Sequence, residues 1–391
     1  MKRCRAFIHD SAAVNHAATE VLFSFTVISN AVSMTCMSHV MDNCGKALEY
    51  PLLKKFVETW FGMFAFSDNV KLAWNKDNKH MPSISRTRWW SEYEAIVFLV
   101  KHWDKLVPFL NALEYSDTFK KKLLKLFRDD EMRLKLEALC VVNLARDFVT
   151  ATYNLEGNVP LMFTGEEELL KVQNLASDFG SLLKDTVRTE LASRSMVNVT
   201  NTDYWTVRTV EMDGGVRPMM AYFSSRFVTG LGTKSGLSVR RTQNALHAAR
   251  LGDPLFPGHP LELDPLRVRL RLFPNLTNNH IDCLVEEYGK YRGLATQHPP
   301  PVSATEAVNI QTRGLSIMKW WGEHALELPN WSLFARLIAT LQPSSAASER
   351  IFSIVDFLYS DRTDVLEDHL EGGTMKRANK DCPCGVFRCH E

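Results

Sequence analysis

Apolar positions recur at helical spacing along most of this chain. Leu52, Leu53, Phe56, Trp60, Phe61 and Phe64 form one dense set behind Pro51, a residue that suits the first turn of a helix, so a buried helix is expected there. Ser91 to Arg194 reads as helical throughout, with stripes such as Phe98, Trp103, Leu106, Leu110 and Leu124, Phe127, Leu134, Leu139, and few Gly or Pro. LFPNLTNNHIDCLVEEYGKYRGLA, residues 272–295, reads as a capped helix with Ile281, Leu284, Val285 and Tyr288 on its buried face. Further on, Trp331, Phe334, Leu337, Ile338 and Leu341 share a helix that Pro343 stops. Ser344 and Ser345 then offer N-caps to a second helix carrying Ile351, Val355 and Leu358 on one stripe, with Phe352 beside it.

Two stretches break the helical pattern. Arg5 to Asp10 (RAFIHD) reads as a short strand ending on a carboxylate, after which Ser11 caps a helix. Between Ser195 and Pro265, YWTVRTVEMDGGVRP reads as a short β-rich or irregular excursion, and Gly230, Gly232 and Gly236 mark a turn. The prolines from Pro254 to Pro260 and the HPPP of 298–301 read as linkers or spacers.

Composition narrows the class. At 391 residues and 45% hydrophobic content the chain can hold two or three domains with ample cores. No run of eighteen or more apolar residues appears, and the opening MKRCRAFIHD lacks the charged-then-apolar order of a signal peptide, so a soluble protein inside the cell is expected, without a membrane partner. Eight irregularly spaced cysteines read as reduced thiols. A net charge of +1 gives no global footprint for nucleic acid. Locally, Arg217 to Arg271 holds nine Lys/Arg against three Asp/Glu, including the pair Arg240 and Arg241, which is either a solvated helix face or a surface that follows a phosphate backbone.

The order of parts near the end carries a resemblance. An apolar helix ending at Leu341, the run PSSAASERIF from Pro343 to Phe352, a register of Arg362 and Leu366, and the upstream pair Trp320 and Trp321 are together similar to the C-terminal dimerisation region of hAT (hobo, Activator, Tam3) transposases. Elsewhere, Asp10 resembles the second catalytic acid of their ribonuclease-H-like core. Cys36 and His39 resemble the C-x-x-H motif that follows that acid. Thr87, Arg88, Trp89 and Ser91 resemble the TRWxS signature at the start of the family's helical insertion domain.

The resemblance implies roles. Glu349 would be the third acid of the metal site, so Asp10 and Glu349 are the catalytic and metal-ligating candidates; a first-turn carboxylate favoured by the helix dipole, or a partner for Arg350, is the plainer reading of Glu349. Arg88 and Trp89 would handle extruded DNA, one holding phosphate and the other stacking on a base, although paired tryptophans also build helical cores. Trp331, Phe334, Ile351, Phe352, Val355 and Leu358 would form the dimerisation surface. Cys36 and His39 read as a buried thiol and a hydrogen-bonded imidazole that hold the local fold, or, with Cys44, as part of a zinc site. Cys382, Cys384, Cys389 and His390 in the tail offer a second zinc arrangement or a plain terminus.

The implied fold is mainly α with a small α/β part, a truncated ribonuclease-H-like fold interrupted by a large α-helical insertion. Residues 1–50 would be a remnant of that core, 51–300 the insertion, 301–380 the C-terminal region completing the core, and 381–391 a Cys-rich tail. The family's first aspartate lies upstream of its second, and only nine residues precede Asp10 here. The expectation is therefore a transposase-derived protein that forms homodimers, retains some DNA binding, has no catalysis or cofactor of its own and no small-molecule substrate, and is nuclear by resemblance. A fragment of an active transposase using Mg²⁺ or Mn²⁺, and a host factor that binds chromatin or partner proteins, are the alternatives.

Overall fold

The structure is a computed structural model and describes residues 6–9, 32–78, 80–84, 89–114, 118–157, 159–193, 202–228, 234–302 and 310–345. Its elements are mostly helical and divide into two compact units. One contains residues 1–38, 155–164 and 245–391, and the other contains 39–154 and 165–244. The stretch 51–300, expected to be one insertion, is thus shared between them.

In the first unit, β1 (Ala6–His9) pairs in parallel with β2 (Val32–Thr35), Ala6 opposite Val32 and His9 opposite Thr35. The strand expected over 5–10 is present, and the His9 carbonyl beyond the ladder accepts from the Cys36 N–H at 2.7 Å. Helix α1 (Met37–Lys46) starts immediately, its Met37 N–H bonded to the Pro343 carbonyl at 2.9 Å, and from His39 onward it belongs to the second unit.

The second unit is a helical bundle: α2 (Pro51–Ala65), α3 (Asp68–Asp77), α4 (Trp89–Lys101), α5 (Trp103–Ala112), α6 (Thr118–Leu155), α7 (Gly165–Ser193), α8 (Thr202–Phe227) and most of α9 (Lys234–Ala249). Pro51 does open α2, and Asp130, whose φ of −139° is not helical, kinks α6. The core is aromatic: the Phe56 ring meets Phe127 edge-on at 5.5 Å, and Trp74 meets Phe109 edge-on at 5.0 Å.

Helix α8 corrects the reading of YWTVRTVEMDGGVRP as irregular. The segment is helical in spite of Gly214, Gly215 and an internal Pro218. Gly215 is needed by contact and not by backbone freedom, because a Cβ there would lie 2.2 Å from a Tyr50 ring carbon. The Tyr50 hydroxyl donates to the Met212 carbonyl at 2.8 Å, and the Glu49 N–H donates to the Gly215 carbonyl at 2.9 Å. Tertiary contacts thus supply what local propensity lacks.

The first unit continues with α10 (Leu263–Leu270), α11 (Asn278–Gln297), α12 (Ile310–Glu323) and α13 (Pro329–Ala339). Helix α11 is the capped helix expected: Thr277 and His280 form a reciprocal capping box, and Ile281, Leu284, Val285 and Tyr288 are buried.

Candidate functional site

Helix α13 is the centre of the C-terminal part. Pro329 occupies its first turn, and its N-cap residue, Leu328, supplies no side-chain bond. The missing cap comes from α11, where the Glu287 carboxylate accepts from Asn330 N–H (3.1 Å), Asn330 Nδ2 (2.6 Å) and Trp331 N–H (3.2 Å). The helix N-terminus favours that negative charge.

Three indoles lock α12 and α13 in place. Trp331 Nε1 donates to the Leu284 carbonyl at 2.8 Å, Trp321 Nε1 to the Gly252 carbonyl at 2.7 Å, and Trp320 Nε1 to the His298 carbonyl at 2.5 Å. The Trp331 ring lies 4.6 Å from Tyr291 and, nearly parallel to Trp321, 6.3 Å from it. Trp331 is 0% exposed and Phe334 is 3% exposed. The expectation placed both in a surface between chains; within one chain both are buried, and Phe334 also lines the outer groove. Helix α11 and the 250–273 segment supply packing partners for these rings that the helix spacing of α13 alone does not reveal.

The outer side of α13 is different. Leu333 is 62% exposed, although it borders an apolar cavity of about 200 Å³. Phe273, Leu276, Leu284, Leu337 and Leu341 also line this groove. One wall turns at Asn275, whose φ of 65° lies in the left-handed region that asparagine tolerates. Periodicity names Leu337 and Leu341 but passes over Leu333, which is off the buried stripe.

The other predicted residues fall in several places. Asp10, Arg88, Glu349, Ile351, Phe352, Val355 and Leu358, together with the tail cysteines and His390, lie outside the described residues. Cys36 is buried; its thiol donates to Ser344 Oγ at 3.6 Å and accepts from the Ser345 N–H at 3.2 Å. This joins the end of β2 to the PSS run, three hundred residues away in sequence. Cys44 is also buried, and burial pushes its thiol well above the ordinary range, opposed by Arg226. His39 is half-buried. Among the described residues no group of three or more His, Cys, Asp or Glu could hold a metal ion.

Trp89 is 9% exposed, and its backbone N–H, the first of α4, donates to Asp42 Oδ1 at 2.8 Å. Asp42 in turn holds Lys46 Nζ at 2.8 Å. Gly45 is forced by the indole, since a Cβ there would come within 2.0 Å of it. The basic stretch does not act as one surface. Arg217 pairs with Asp213, Arg267 pairs with Asp282, and Arg250 and Arg269 stack on Phe256 at 4.3 and 4.6 Å. Arg240 and Arg241 remain exposed on α9.

Behind the aromatic layer, Asp253 and Arg313 form a buried ion pair, and His259 borders an open cavity of about 380 Å³ with Tyr291 and Arg292. Burial pulls the His259 pKa down to about 4; its contact with the Asp253 carbonyl at 2.9 Å opposes this, and Arg269 and Arg292 add to it. The imidazole is therefore neutral at pH 7. Its role is to tie the 253–260 turn to Tyr288 and Tyr291, which approach its ring nitrogens at 3.4 Å.

The C-terminal part thus presents hydrogen-bonded indoles on its inner side and an apolar groove on the outer side of α13. Residues 302–370, which include α12 and α13, match the hAT family C-terminal dimerisation region. No curated protein matches the chain in sequence.

Proposed function

We propose that this is a transposase-related protein that associates with itself through its C-terminal region. The match over 302–370 carries the reading. The platform of α11, α12 and α13 supports it, because three hydrogen-bonded indoles fix the backbone on which a contact surface can be presented without reordering. Analytical ultracentrifugation of the full chain at micromolar concentration tests it: a dimer is expected, and a single species at the chain mass of 44.5 kDa overturns it.

DNA contact belongs to the same proposal and is supported by the exposed pair Arg240 and Arg241. Replacing both with Ala should weaken binding to duplex DNA of any sequence and reduce the salt dependence by about two phosphate contacts. Unchanged affinity and salt slope would remove these residues from the proposal. Asp10 and Glu349 lie outside the described residues, and the proposal includes no catalytic step. Strand-transfer product in Mn²⁺ that disappears in Asp10→Asn or Glu349→Gln would restore the reading of an active transposase.

A further inference from the structure

We infer that the groove between the 273–284 segment and α13 is the seat of a second copy of this chain, with Leu333 of each copy entering the groove of the other. The inference rests on the reading of 302–370 as a dimerisation region and goes beyond it by naming the surface. Trp331 is buried within one chain and does not line the groove, and Phe334, 3% exposed, supplies only part of the groove's inner wall. Among the described residues of the matched stretch, the large apolar side chains left exposed are Leu315, Leu326 and Leu333. Only Leu333 of these borders the groove.

Three features favour a second copy as occupant. Asn330, Leu333, Phe334, Leu337 and Leu341, five of the groove's lining residues, lie inside the matched stretch, so the groove is continuous with the region whose match is to dimerisation. A protruding leucine beside a hollow on one helix is self-complementary: a twofold axis across α13 places each knob in the partner's hole and closes the assembly at two copies. The charge pattern also fits, because a twofold contact sets every charge near its own counterpart, and the lining holds no Asp, Glu, Lys or Arg to repel itself. His280 is the lining's one histidine, and its ring is engaged by Thr277 in the α11 capping box. The groove's eleven lining residues are fewer than the roughly 20–30 a side of a whole interface, so it acts as the central anchor within a wider contact.

Sedimentation of the wild-type chain, Leu333→Lys and Leu326→Lys tests this. Leu333→Lys should raise the dimer dissociation constant at least tenfold, because an ammonium would be carried into the partner's apolar hole. Leu326→Lys should leave it unchanged, since that side chain is 97% exposed and does not line the groove. A monomeric wild type overturns the dimerisation reading and this inference together. A dimer unaffected by Leu333→Lys overturns the inference alone. Should Leu333→Lys fold poorly by circular dichroism, p-benzoylphenylalanine at position 333 decides: with mixed ¹⁵N-labelled and unlabelled chains, inter-chain adducts to the groove lining in 273–284 and 330–341 are expected, and adducts elsewhere refute the seat.

Discussion

Trp89 in the helical bundle and Trp331 in the C-terminal unit are the tryptophans to which the sequence attaches outward roles, base stacking for one and chain contact for the other. Both are buried. In both, a carboxylate from another helix takes the backbone N–H at the start of the tryptophan's own helix, Asp42 at 2.8 Å and Glu287 at 3.2 Å. Their surroundings differ. Trp89 packs over Gly45 and also lines an open cavity with Lys46 and Lys54. Trp331 sits among Tyr288, Tyr291, Trp321 and Phe334, with Nε1 committed to Leu284. The large aromatics build the interior, and the exposed side chains on which the proposed contacts rest are smaller or longer ones, Leu333 in one unit and Arg240 and Arg241 in the other.

The largest effect expected from this comparison is on stability. Trp331→Ala should cost about 4–5 kcal/mol, since it opens a cavity and leaves the Leu284 carbonyl without its donor. Trp89→Ala should cost about 3 kcal/mol, because its partly open side lets solvent refill the space. Urea titration followed by near-ultraviolet circular dichroism reads both. The comparison breaks if Trp89→Ala leaves stability intact and instead weakens binding to hairpin or single-stranded DNA by about 1–3 kcal/mol.

Much of the helical frame was legible because local chemistry and tertiary packing agree. Pro51 opens α2, Thr277 caps α11, and the apolar stripes of α2, α11 and α13 are the faces that become buried. Helix α8 was not legible, since Gly214, Gly215 and Pro218 are breakers by propensity, and the approach of Tyr50, which explains Gly215, is a contact across the fold. Caps supplied through space were equally hidden. Glu137 on α6 accepts from the Leu53 N–H at 2.8 Å, just as Asp42 and Glu287 serve α4 and α13, and no spacing rule links residues so far apart. Of the candidate site, the sequence located the C-terminal stretch but not its exposed face, because periodicity marks what is buried and Leu333 lies off that stripe.

One buried group in each unit should also respond oppositely to acid. His259 in the C-terminal unit has a folded pKa of about 4 against an ordinary 6.5, so the unfolded chain binds its proton first as pH falls. Its stabilising contribution is present above pH 6.5 and is lost between 6.5 and 4, by about 3 kcal/mol at most. Glu137 in the bundle behaves in reverse: burial raises its pKa, against the Leu53 N–H and Arg133, so its contribution is present below the ordinary 4.5 and declines as pH rises through the folded value. Melting curves of wild type and His259→Gln between pH 7 and pH 4 check the first arm. The wild type should lose stability with acid more steeply than the variant, and parallel slopes would show that His259 is not the buried neutral group described.

The smallest effect distinguishes the borrowed caps. Glu287→Gln and Glu137→Gln each keep an acceptor oxygen and remove the charge. Glu287 is half-buried and faces three donors at the start of α13, where a negative charge interacts favourably with the helix end. Its replacement should cost about 1 kcal/mol. Glu137 is buried, its carboxyl already pushed toward the protonated form, and a neutral amide recovers desolvation energy that offsets the weaker bonds to Leu53 and Arg133. Its replacement should be close to neutral at pH 7. Denaturant midpoints for the two variants, measured side by side, test the ordering. If Glu137→Gln proves the more costly of the two, the charge itself holds α2 in the bundle, and the through-space caps of both units work by the same electrostatic means.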